Sequence, residues 1–272
     1  MHIDWAEAGV NRAVIDKNVR ADDLFSLLKS ILIPRPVSTN FYYPSYGGIQ
    51  TFCDKQAERI RKNGGKIIYG CRATGVETGN GKVSGVKTAD MGIIPADHVY
   101  WSAPVSILFP DAGFRFMDTL LCNIALSKEQ KNQYQWCYFG QEDILFSRLT
   151  VPRNFRADTV PSMADSLIVE ITLNNQEQRN DIESLKARLI DELERVEALS
   201  ASDILFMDWQ VVPATYPLYD LEYRKRLSAL VLPEGLDLTG RCGSFWYNNM
   251  DHSIGEALAI SSGKAFSKDF WK

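Results

Sequence analysis

The chain has 272 residues, enough for one or two domains with a sizeable core. Its net charge of −4 comes without a basic stripe, which removes the electrostatic case for a nucleic-acid partner. No apolar run reaches the length of a transmembrane segment, and no signal-peptide pattern stands at the start. Five scattered cysteines (Cys53, Cys71, Cys122, Cys137 and Cys242) show neither CxxC spacing nor a metal-ligand grouping with the three histidines. Reduced, mostly buried thiols, no metal site and a cytoplasmic location are therefore expected.

From Asp4 to Ile33 the pattern is helical, with Leu24, Leu27, Leu28 and Ile31 at three- and four-residue steps. Residues 1–12 read as a helix cut into midway. Pro34 and Pro36 end this region. An aromatic run, Phe41 to Tyr46, closes on Gly47-Gly48. Ile49 to Lys62 follows as an amphipathic helix with Ile49, Phe52, Cys53, Ala57 and Ile60 on one face, and Gly64-Gly65 stops it. A β region comes next: Lys66–Tyr69, then a turn at Gly79-Asn80-Gly81, then Val83–Thr88 and Ala96–Trp101. Further strands are expected at 120–126, 134–139, 144–151, 167–173 and 204–212. Between the last two, Asp181–Leu199 is the clearest helix, with Ile182, Leu185, Leu189, Leu193 and Val196 as its buried stripe and its charged face solvated.

The most informative stretch is 236–263. A short strand, Leu236–Leu238, ends in Gly240-Arg241-Cys242-Gly243. An aromatic, amide-rich turn leads into a helix lined with small residues, where Ser253 and Glu256 have capping-box spacing. A glycine turn before a helix N-terminus presents outward N–H groups to an anion or a polarised carbonyl. Gly79-x-Gly81-x-x-x-Gly85 is one residue too long for a dinucleotide fingerprint and lies between strands, so a hairpin is the better reading. Asp251-His252-Ser253 are consecutive and cannot converge as a triad. No residue stands out as acid, base or nucleophile. The tyrosine clusters next to Gly and Pro suit a pocket wall and a core about equally.

Several segments, taken in order, resemble the flavin-containing amine oxidoreductase superfamily, which includes protoporphyrinogen oxidase-like and UDP-galactopyranose mutase-like members. Tyr43-Pro-Ser-Tyr-Gly-Gly-Ile49, its helix and Gly64-Gly65-Lys-Ile-Ile68 are similar to the family's Y-P-x-x-G-G segment and G-G-x-I strand. Gly85-Val86, Ala96-Asp97-x-Val99 and Ala103-Pro104 are similar to the hairpin and strand that complete the FAD domain. Gly240-Arg241-x-Gly243 with Tyr247-Asn-Asn-Met-Asp-His-Ser-Ile254 resembles the C-terminal FAD motif. Asp4-Trp5-Ala6 resembles a substrate-domain segment of the mutase-like members.

The resemblance implies an α/β fold: an incomplete Rossmann-like FAD domain (43–104 and 233–272), and a strand-rich, mixed-sheet α+β substrate domain (105–232) with a helical part at 1–42. It implies FAD as cofactor, held by Ala73, Gly240, Arg241, Gly243, Asn249, Met250, Asp251, Ser253 and Ile254. It implies a substrate wall of Tyr43, Tyr46, Gly47, Gly48, Tyr216, Tyr219 and Tyr247, with a small molecule as the partner. The family's N-terminal βαβ unit with G-x-G-x-x-G is absent from the sequence, so the expectation is the C-terminal portion of a longer flavoprotein. The leading expectation is an FAD-dependent oxidoreductase moving hydride from substrate to flavin. A mutase-like enzyme of a nucleotide sugar is the alternative, which a basic diphosphate clamp in the strand-rich part would support. A non-catalytic remnant is the third.

Overall fold

A computed structural model describes residues 43–173 and 181–264. The helix expected at Asp4–Ile33, the Pro34–Pro36 stop, the Asp4–Ala6 resemblance and the start of the aromatic run at Phe41 and Tyr42 lie outside these residues.

The main body is a five-stranded sheet in the order β6-β7-β8-β5-β9. Its strands are β5 (Phe116–Leu126), β6 (Trp136–Tyr138), β7 (Arg148–Thr150), β8 (Asp165–Leu173) and β9 (Ile204–Pro217). All four ladders are antiparallel, so the sheet is not mixed as expected. The reason lies in the connection from β8 to β9. Helix α2 (Ile182–Arg195) joins them, and the two land on opposite sides of β5 rather than side by side. The alternation in β5 decides its two faces. Leu120, Cys122, Ile124 and Leu126 are buried with Leu167, Val169, Ile171 and Leu173 of β8. Leu185, Leu189 and Leu193 of α2 close this core, as their spacing predicts. One residue of the charged face departs from expectation: Glu192 is buried, and its carboxylate takes the Leu145 N–H at 2.6 Å and Arg188 at 2.6 Å.

The opposite face of the sheet is polar at its centre. Register places Tyr138 beside Arg148, Arg148 beside Glu170, and Glu170 beside Leu121. Residues directly opposite one another share a face.

Residues before β5 and after β9, which include helix α3 (Tyr223–Ser228), build the second part. The hairpin of β1 (Ala73–Gly79) and β2 (Lys82–Thr88) turns at Asn80-Gly81, with φ of 53° and 79°, the left-handed pair of a tight hairpin turn. Thus Gly79–Gly85 is a hairpin. β3 (Ile93–Pro95) pairs with β2. β4 (Val99–Trp101) pairs in parallel with β10 (Leu236–Leu238). Val83, Val99, Trp101 and Leu236 form a small core beneath these strands.

One expectation fails here. Lys66–Tyr69 carries no ladder among the described residues, because no strand lies beside it. Helix α1 (Gln50–Lys62) forms, yet none of its residues is buried, and Ile49, Phe52 and Ile60 are exposed. Its apolar stripe has nothing to pack on among the described residues. The free edge of β4 is equally unpaired there.

Candidate functional site

The C-terminal turn is tied to strand β4. Thr239 N–H donates to the Trp101 carbonyl at 3.0 Å, and Gly240 turns with φ +67°. Helix α4 (Gly240–Gly243) then presses on the end of β4. A Cβ on Gly243 would overlap the Trp101 carbonyl oxygen, so close packing within the protein requires this glycine. Gly240 has ordinary space around its Cα and is needed for its backbone angle.

Helix α5 (Met250–Ser261) begins four residues earlier than the Ser253–Glu256 spacing suggests. Asn249 is the cap, and Asn249 and His252 form the capping box, with the Asn249 N–H donating to His252 Nδ1 at 3.3 Å. Asn249 precedes Ser253 in the chain and takes the cap first. Ser253 instead donates to Asn248 Oδ1 at 3.2 Å. Glu256 is buried, and it accepts Thr239 Oγ1 at 2.9 Å and the Gly240 N–H at 2.8 Å. A carboxylate two turns into the helix thereby holds the glycine turn. Met250 and Asp251, both exposed, carry the first N–H groups of the helix, which have no intrahelical partner. Beside them, Asn248 Nδ2 is a buried donor without a partner. Ile254 is half-buried one turn on, and Ala73 opens β1 opposite Thr88.

Arg241 leaves this turn toward the five-stranded sheet. Its guanidinium lies 5.3 Å from the Tyr216 ring and 5.0 Å from the Tyr247 ring. It donates to the Asn248 carbonyl at 2.6 and 3.1 Å, and to the Thr215 carbonyl at 3.3 Å. Arg241 therefore ties the turn to β9 and props the two tyrosine rings. The strand is shaped for this. Between the pairs Met117↔Tyr216 and Thr119↔Val212, β9 carries three residues against one on β5. In this bulge Ala214 has φ +52°, and its N–H donates to Asp118 Oδ1 at 2.8 Å. The bulge re-aims Tyr216 toward Arg241.

Across the polar face, Arg148 is half-buried and paired with the nearly buried Glu170, donating through Nε at 2.8 Å and through Nη2. Its Nη1 donates to Tyr138 Oη at 3.3 Å. Burial opposes the Arg148 charge, and Glu170 more than restores it, so its pKa lies above the ordinary arginine value. Burial, joined by the Glu170 charge, pushes the Tyr216 phenol up to about 12. Arg148 and Tyr138 were not singled out in the sequence. The cue available was a lone arginine within a strand pattern.

The expected substrate wall divides in the structure. Tyr216 and Tyr247 come together, ring centroids 5.6 Å apart. Tyr219 does not join them as a wall residue. It is buried in an aromatic core with Phe245 and Tyr223, stacked 4.3 Å from Tyr223, and its hydroxyl accepts the Tyr247 N–H at 2.6 Å. Tyr43 and Tyr46 are exposed on the segment that ends in Gly47 and Gly48, both with positive φ. A cavity of about 540 Å³ lies elsewhere, between the β1–β2 hairpin and residues 231–233, and it contains none of the candidate residues. Among the described residues no group of three His, Cys, Asp or Glu side chains could hold a metal ion. No helix there is long and apolar enough to cross a membrane.

No protein-family profile matches the chain, and no curated protein matches it. Solved structures do. Reduced UDP-galactopyranose mutase superposes with a TM-score of 0.69 at 17% identity, over 90% of this chain and 58% of that one. A protoporphyrinogen oxidase-type protein from Exiguobacterium sp. 255-15 gives 0.56 at 15% identity, over 72% and 46%. An engineered putrescine oxidase gives 0.50 at 11% identity, over 71% and 47%. The chain thus spans between 46% and 58% of the length of these structures. Its fold matches part of the fold of UDP-galactopyranose mutase, of the protoporphyrinogen oxidase-type protein and of the putrescine oxidase.

Proposed function

We propose that this chain supplies the flavin-ring end and the substrate face of an FAD-dependent enzyme that acts on a nucleotide sugar. The observation that carries this reading is Arg148. It stands on the polar sheet face, its fork held by Glu170 and Tyr138, on the same sheet that carries Tyr216 to the C-terminal turn. A cation so held suits a phosphate group. The likeness to the mutase over 90% of the chain supports the same choice.

The residues fit the ring end of a flavin. The Met250 and Asp251 N–H groups and the unpartnered Asn248 amide form a donor set for an electron-rich carbonyl edge. They do not fit its dinucleotide end, since no G-x-G-x-x-G turn occurs among the described residues. Bound FAD would supply the redox chemistry. This chain's residues orient and bind. Arg148 takes the phosphate, and Tyr138 and Tyr216 add hydroxyl donors. Tyr216 keeps its proton at neutral pH, so it serves as a donor and not as a base. Arg241, fixed to two backbone carbonyls, holds the Tyr216 and Tyr247 rings in place.

The oxidoreductase reading is kept as second, on the fold shared with the putrescine oxidase and protoporphyrinogen oxidase-type structures. Thermal unfolding with added FAD, then with UDP-galactose, separates the readings. A rise in Tm with UDP-galactose that Arg148→Ala abolishes is expected. No rise removes the nucleotide-sugar reading. Failure to retain any flavin absorbance removes both enzyme readings for this chain and leaves the non-catalytic one.

A further inference from the structure

β7 and β8 are adjacent antiparallel strands, a pair that a loop of 2–5 residues would join. Instead residues 151–164 make a long strap with two short 3₁₀ turns, Pro152–Asn154 and Ala157–Thr159. Its base is fixed. Asn154 Nδ2 donates to the carbonyls of Asn132 at 2.7 Å and Tyr134 at 2.8 Å, and Arg153 pairs with the fully buried Asp165 carboxylate. Its far side, from Ala157 to Thr159 and again at Met163, is exposed.

Between base and tip stand two residues that reach out of the sheet. The Phe155 ring stacks on Trp136 at 5.8 Å and meets Tyr43 at 5.5 Å. Arg156 Nη1 donates to the Pro44 carbonyl at 2.6 Å, across 112 positions of sequence. Its other two nitrogens are occupied by Asp158, through Nε at 2.8 Å and through Nη2. Asp158 thereby turns the fork so that Nη1 faces Pro44. The segment it grips has little hold of its own. Tyr43 to Gly48 forms no helix or strand, and Gly47 and Gly48 both have positive φ. Within the segment's own neighbourhood, Thr51 supplies the contacts, through its hydroxyl to the Tyr46 carbonyl and its N–H to the Gly48 carbonyl.

We propose that Phe155 and Arg156 are positioning residues: the strap of the five-stranded sheet clamps the Tyr43–Gly48 segment and sets Tyr43 at the Trp136 edge of the polar face. Trp136 shares that face with Tyr138 and Arg148 by register. The functional weight of the clamp rests on the reading of this face as the substrate site. The clamp itself is a property of the protein alone.

Hydrogen–deuterium exchange of the 272-residue protein, read by mass spectrometry on peptides covering 43–52 and 165–173, tests it. Arg156→Ala is expected to speed exchange in 43–52, where the Thr51 and Phe52 N–H groups donate to the Gly48 and Ile49 carbonyls, by about tenfold and leave β8 unchanged. Arg156→Lys, which can still donate to the Pro44 carbonyl, is expected to restore most of the protection. A merely structural arginine would not be rescued in this pattern. Unchanged exchange in Arg156→Ala overturns the proposal. Should that variant loosen β8 as well, Asp158→Asn is the second reading, because it releases the fork without removing it. Faster exchange in 43–52 supports the clamp, and no change sinks it. No ligand enters these measurements, so they stand apart from the UDP-galactose result.

Discussion

Gly243 and Gly240 show how one motif carries two different demands. Gly243→Ala forces its new Cβ against the Trp101 carbonyl, and a loss of about 1–3 kcal/mol is expected from overpacking. Gly240→Ala meets only a strained backbone angle, for about 1–2 kcal/mol. Urea denaturation of both variants checks the order. The glycines were legible in the sequence as a turn ahead of a helix. Which surface approached was not, because Trp101 is remote in the chain and only the β4–β10 ladder brings it near. Tyr216 gives a pH signature. Its phenol titrates at 10.0 ordinarily and at about 12 in the fold. Between those values the unfolded chain has lost a proton that the native state keeps. Its contribution is therefore complete below pH 10 and is lost as pH rises toward 12. The buried Cys122 thiol, raised from 9.0 to about 12, acts in the same direction from pH 9 upward. Tyr216→Phe should flatten the fall in urea midpoint between pH 10 and 12 while leaving the Cys122 part in place.

Helix α2 and strand β9 mark the limits of reading elements from pattern. The leucine stripe of α2 was legible because period 3.6 and burial agree, and Leu189 is fully buried under the sheet. Leu189→Ala should cost about 2–5 kcal/mol by calorimetry or urea titration. The bulge in β9 was not legible, since Pro213-Ala214-Thr215 interrupts no hydrophobic period strongly enough to show two extra residues. Ala214 pays there for a left-handed angle that glycine adopts freely. Ala214→Gly is expected to raise stability by less than about 1 kcal/mol, the relief being partly offset by glycine's greater entropy loss. A destabilised Ala214→Gly would mean that the methyl packs in a way the backbone angle does not reveal. The start of α5 shows a third kind of limit. Two capping boxes were spaced within a few residues, and the earlier cap prevails while Glu256 turns inward to the Gly240 N–H.

Across the whole molecule, the polar sheet face depends on charge compensation at its centre. Removing Arg148 leaves Glu170 nearly buried without its partner, so Arg148→Ala should lower stability as well as ligand response. Arg148→Ala with Glu170→Gln should recover stability without recovering the UDP-galactose shift, which separates the two roles by melting curves alone. The sequence pattern placed strands at 144–151 and 167–173. It could not predict the strand order β6-β7-β8-β5-β9, which puts Arg148 beside Glu170 through a connection longer than a hairpin needs.

The parallel pairing of β4 with β10 has a consequence for how the chain is made. β4 is synthesised more than a hundred residues before the strand that covers its edge. While the antiparallel sheet assembles from β5 to β9, Val99 and Trp101 wait without Leu236. The ladder closes only after Leu236–Leu238 has left the ribosome. A nascent chain paused before Leu236 would hold a complete five-stranded sheet beside an open, apolar strand, and that strand is where a chaperone would bind.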